Sequence, residues 1–148
     1  MTINAYLNHL YSKSIESLQN SNFDLAINYL QQIDQMQPDN FEILRLLGIV
    51  NAQKGSFKEA LRFLNSALRL QPKNPLALSN LGNVYLSLKM YKESLEAYDH
   101  SIKIQPDYFE AWSNKGNALQ EMDRYEEAIQ CFDQSIHLNP NFAEAWSN

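Results

Sequence analysis

The residues that interrupt regular structure are scarce: the 148-residue chain holds only four glycines and five prolines. That scarcity excludes a collagen-like or linker-like chain and argues against a turn-rich all-β fold. A single cysteine, Cys131, excludes an intramolecular disulfide and a cysteine-based zinc site. No stretch approaches the roughly 20 apolar residues of a membrane span. The first twenty positions carry no apolar run behind a basic start, so no secretory leader is expected. Basic charge is in deficit, 12 Lys and Arg against 17 Asp and Glu for a net −5, so the basic footprint of a nucleic-acid binder is missing. With 45% apolar and 20% charged residues, the composition is that of a folded helical protein. Neither membrane nor nucleic-acid partners are expected, and the location expected is cytoplasmic.

What is present is a period. Pro38, Pro72, Pro106 and Pro140 stand 34 residues apart. The aromatics Phe23, Phe57, Tyr91 and Tyr125 keep the same interval, as do the small residues Ala26, Ala60, Ser94 and Ala128. Gly48, Gly82 and Gly116 form a fourth ladder. These ladders divide the chain into repeats 7–40, 41–74, 75–108 and 109–142, with 143–148 opening a fifth. Within a repeat the apolar spacing is helical: Leu44, Leu47 and Val50, then Ala60, Leu61, Leu64, Ala67 and Leu68. Between the two runs, Lys54, Gly55 and Ser56 break the first helix and are placed to cap the second. The proline ends the second, having no N–H to donate. Each repeat therefore predicts two antiparallel helices. The ladder aromatic should staple the turn, and each mid-helix glycine should meet the small ladder residue of its partner helix.

This pattern resembles the tetratricopeptide repeat, whose 34-residue signature runs Trp-x2-Leu-Gly-x2-Tyr, then Ala-x3-Phe, Ala and Pro. The third repeat carries it as Leu78, Leu81, Gly82, Tyr85, Ser94, Tyr98, Ser101 and Pro106. The fourth has Trp112, Gly116, Leu119, Ala128, Phe132, Ser135 and Pro140, with Lys115 at the usual Leu. The second has Asn51 at the Tyr position, and the first is divergent, as terminal repeats that cap a stack often are. The resemblance implies an all-α, right-handed superhelical solenoid of antiparallel helix pairs, with first helices lining a concave groove. Ser79–Asn83 and Trp112–Asn117 are also similar to the arrays that precede the catalytic domain of O-linked N-acetylglucosamine transferase and its bacterial relatives.

The family's geometry, carried over by resemblance, places the second, fifth, sixth, ninth and twelfth residues of each repeat on the groove. This assigns Arg45 and Ile49 in the second repeat, Ser79, Asn80 and Asn83 in the third, and Glu110, Ser113, Asn114 and Asn117 in the fourth, with Asn148 beyond. Asn80, Asn114 and Asn148 form a 34-spaced row. An asparagine amide offers both a donor and an acceptor, so it pairs with a peptide main chain without reading its sequence. Local bonding or hydration of these amides is the competing reading. A second family mode, a basic clamp for a terminal carboxylate, aligns with Arg45, Ile49, Asn80, Glu110 and Asn114. Glu110 would repel that group, so acidic tails are not expected ligands.

Catalytic motifs do not emerge. There is no phosphate loop, nucleophile elbow or paired zinc histidines, and His9, His100 and His137 occupy unrelated repeat positions. Cys131 reads as a packing thiol. No cofactor, metal or enzymatic activity is expected. The expected function is a scaffold that binds an extended segment of another protein. The alternatives are a substrate-presenting arm of a larger enzyme, such as a glycosyltransferase, and a self-associating architectural array. Ala145-Trp146-Ser147-Asn148 repeats Ala111-Trp112-Ser113-Asn114, so the chain is expected to be a piece of a longer array. Its truncated end would then associate end to end through Ile129, Phe132 and Ile136.

Overall fold

The computed structural model describes residues 2–141. Asn148 and the expected opening of a fifth repeat lie outside the described residues. Among the described residues all regular structure is helical, and eight helices lie wholly within them: α1 Ile3–Gln19, α2 Phe23–Met36, α3 Phe41–Lys54, α4 Phe57–Leu70, α5 Pro75–Ser87, α6 Tyr91–Ile104, α7 Phe109–Glu121 and α8 Tyr125–Leu138. The chain divides into two compact units, Met1–Pro72 and Lys73–Asn148.

Local chemistry sets the boundaries. Asn22, Asn40 and Asn74 each accept a backbone N–H three residues on, at 3.2, 3.2 and 3.0 Å, which satisfies one of the orphan donors that open a helix. Pro75 begins α5 at a position where its missing N–H is harmless. The turns inside the pairs share one left-handed residue at Ser21, Gly55, Lys89 and Asp123, 34 residues apart, with φ of 55°, 89°, 58° and 59°. Only Gly55 adopts it without steric cost. Ser56, the expected cap of α4, makes no side-chain capping bond, so that turn rests on Gly55 and the main-chain bond from Ser56 N to Asn51 O, 2.8 Å.

In the N-terminal unit α1 packs on α2, α2 on α3 and α3 on α4. Its core is Leu7, Leu10, Ala26, Leu30, Ile33, Ile43, Leu44, Leu47, Val50, Phe63 and Ala67. Ser14 stands in α1 where the later repeats have glycine; it is fully buried and its hydroxyl donates to Tyr11 O at 2.6 Å. In the C-terminal unit α5 packs on α6, α6 on α7, α7 on α8, and α5 also touches α7. Buried hydroxyls join the helices of each pair. Ser94 donates to Gly82 O at 2.9 Å, Ser101 to Pro75 O at 2.7 Å, and Ser135 to Phe109 O at 2.9 Å. No buried polar side-chain atom among the described residues lacks a partner.

The glycine contacts differ from the expectation. A Cβ added to Gly82 would lie 2.6 Å from Tyr98 Cε1; at Gly48 it would meet Leu64 Cγ at 2.5 Å, and at Gly116 Phe132 Cε1 at 2.6 Å. The space serves the bulky residue sixteen positions on, one helical turn beyond the small ladder residue. In the last repeat the ladder aromatic meets its own turn through its hydroxyl. Tyr125 is 56% exposed, with its hydroxyl donating to Asp123 at 2.6 Å.

Gly82→Ala should lower unfolding stability by about 1–3 kcal/mol, because the Tyr98 ring is fully buried and has nowhere to retreat. Urea denaturation reads this directly, and an unchanged midpoint would show the packing to be wrong.

Candidate functional site

The adjacent first helices α5 and α7 carry most of the expected groove residues. Asn80 and Asn114 are half-buried; Asn83 is exposed and Asn117 half-buried. Asn114 Nδ2 lies 3.4 Å from Ser79 Oγ, a long donor contact that ties α7 to α5. Asn83 Oδ1 accepts the Tyr98 hydroxyl at 2.6 Å, which orients the amide so that its NH2 is the group left to offer. Burial pushes the Tyr98 phenol upward, so it stays protonated and a donor.

Ser79 and Ser113 were expected on the groove surface, but they are 1% and 5% exposed. Ser79 meets the Asn114 amide from beneath, and both serines present almost no surface to a ligand. Glu110 is half-buried in the first turn of α7, where the helix dipole favours a carboxylate. In the N-terminal unit, Ile49 is half-buried on α3. Arg45 forks onto Glu42 through Nε at 3.0 Å and Nη2 at 2.6 Å with its side chain only 11% exposed. Its charge is committed within its own helix.

Lys115, at the consensus Leu position, pairs with Asp99 of α6 at 2.7 Å and lies 5.9 Å from the Trp112 ring centre. Its charge therefore goes to the neighbouring second helix. Cys131 is buried against Leu119 and Ala128, and burial pushes its thiol up, away from the reactive thiolate. Among the described residues there is no group of three His, Cys, Asp or Glu side chains that could hold a metal ion. No described helix is long and apolar enough to cross a membrane.

One feature escaped the sequence reading. A recess lined by Leu86, Asn117, Gln120, Glu121 and Tyr125 opens at the C-terminal ends of α5 and α7. The Tyr91 hydroxyl stands 3.5 Å from Glu121 Oε2 at its edge. The signal in the sequence was an acidic residue closing a helix, the reverse of the usual preference. On α8, Ile129 and Ile136 are 57% and 42% exposed. Their counterparts on α6, Leu95 and Ile102, are half-buried, and α7 packs on that helix.

Helix pairs joined by tight turns and packed on one another within each unit define an α–α solenoid scaffold. A Tetratricopeptide repeat model matches residues 75–108 and 109–142, and a second one matches 17–81. The chain belongs to the tetratricopeptide repeat family. No curated protein matches the sequence. A crystal structure of MamA superposes with a TM-score of 0.79 at 22% identity, over 93% of this chain and 81% of that one. MamA from Desulfovibrio magneticus gives 0.77 at 23% identity, over 90% and 76%. These two likenesses are of fold. A mutant O-GlcNAc transferase from Thermobaculum terrenum gives 0.72 at 28% identity, over 80% of this chain and 23% of that one.

Tyr98→Phe tests the support of Asn83. Loss of the hydroxyl should cost about 0.5–1.5 kcal/mol of stability and broaden the Asn83 side-chain amide resonances. An unperturbed Asn83 amide would show that Tyr98 does not orient it.

Proposed function

We propose that the chain is a protein-interaction scaffold that holds an extended partner segment by its main chain, with the amides of Asn80, Asn83, Asn114 and Asn117 as the contacts. The observation that carries the reading is the double row of amides on two touching helices, one of them already oriented by Tyr98. Each amide offers a donor or an acceptor to a peptide unit whatever its side chain, which suits broad recognition of extended chain. In the N-terminal unit Arg45, held by Glu42, and Ile49 are candidate contacts of their own first helix.

A second reading has separate support in the 28% identity to the O-GlcNAc transferase structure. There the bound segment would be a substrate presented to a catalytic domain of a longer protein, and the full reading frame would separate the two. Exposed Ile129 and Ile136 support a further role in self-association through α8, for which sedimentation should show concentration-dependent mass that Ile129→Glu abolishes.

The clamp is tested with uncharged, acetylated and amidated ten-residue peptides. Asn80→Ala combined with Asn114→Ala should weaken binding about tenfold or more while leaving helicity intact. Unchanged affinity would sink the clamp.

A further inference from the structure

The charge of the two groove helices is unusual. α5 has no charged residue, and α7 has three, Glu110, Lys115 and Glu121. Lys115 is spent on Asp99 of α6, so the two carboxylates carry the net charge of this surface. Glu110 sits at a helix start, where a carboxylate is favoured. Glu121 sits in the last turn of α7, where it adds to the negative end of the helix dipole. Neither α5 nor α7 has a basic residue in its last turn. Lys89, in the turn after α5, forms no ion pair among the described residues, and Arg124 is forked onto Glu127.

Two helix C-termini, a carboxylate and the exposed Tyr125 therefore meet in one recess that has no cation among its lining residues. Such a place is unfavourable for the isolated fold and favourable for an incoming cation, through Coulomb attraction and the tyrosine ring. Asn117 belongs both to the amide row and to the recess wall. A main chain held at Asn117 would thus deliver a neighbouring side chain into it.

We infer that this recess receives the lysine or arginine side chain of a segment bound along the amide row, so that the scaffold selects basic over neutral and acidic partners. The inference rests on the main-chain reading above. It gives that otherwise sequence-blind contact a charge preference. Glu121 supplies the carboxylate and Tyr125 the aromatic wall, while Leu86 packs the aliphatic stem.

The test titrates the intact chain with two acetylated, amidated nine-residue peptides of Gly, Ser and Ala. They differ only at the centre, arginine in one and its uncharged isostere citrulline in the other. The arginine peptide should bind roughly three- to tenfold more tightly, and the preference should shrink as salt rises. Glu121→Gln should erase the difference between the two peptides. Equal affinities in the natural chain, or a preference that survives Glu121→Gln, overturn the inference while the main-chain reading stands. Failure of both peptides to bind overturns both. Glu121→Gln should also keep or raise Tm, since it removes a charge the helix end disfavours; a fall of several degrees would give Glu121 a structural role and overturn the premise.

Discussion

Everything here depends on a contact between an absent side chain and a large one. At Gly48, Gly82 and Gly116 the first helix of a pair has no Cβ, and Leu64, Tyr98 and Phe132 occupy that space. Glycine inside a helix costs about 1 kcal/mol relative to alanine. Burying a leucine or aromatic side chain against the bare backbone returns about 1.5–3 kcal/mol. The contact fixes how close two helices approach. It thereby sets which residues of the first helix remain available for binding.

The third repeat links that packing contact directly to the candidate site. Tyr98 packs one edge of its ring on Gly82 and gives its hydroxyl to Asn83. One side chain therefore serves the core and orients a surface amide. Leu64 has no hydroxyl and Phe132 has none either, so this coupling belongs to the third repeat. Ser94 and Ser101 add further bonds to α5 from the same second helix.

The two units differ in electrostatics. Described basic and acidic side chains balance in the N-terminal unit, six of each, and the acidic excess falls in the C-terminal unit. Most of that excess lies on second helices and is solvated or paired, as Glu127 is with Arg124; such exposed pairs contribute little. Glu121 is the exception by position, because it stands at a helix end that already carries negative partial charge. An unfavourable local charge beside a row of neutral amides is the kind of inconsistency that a binding surface retains and a purely architectural one has no reason to keep.

A period of 34 residues, written in proline, glycine and aromatic ladders, determined the helix pairs and their turns, because capping, chain reversal and amphipathicity are local. The 34-spaced asparagine row is legible in the repeat frame, whereas the candidate groove positions came from the resemblance to the tetratricopeptide repeat. Which side chain fills the space at each glycine was decided only by tertiary packing, since helical spacing identifies a face but not the depth at which its neighbour interlocks. The same limit hid the burial of Ser79 and Ser113, each next in sequence to a half-buried asparagine. Lys115 reads as a defect in the pattern until α6 supplies Asp99. The recess at Glu121 exists because two helix ends and a tyrosine from the next helix converge, a relation between elements that no single segment contains.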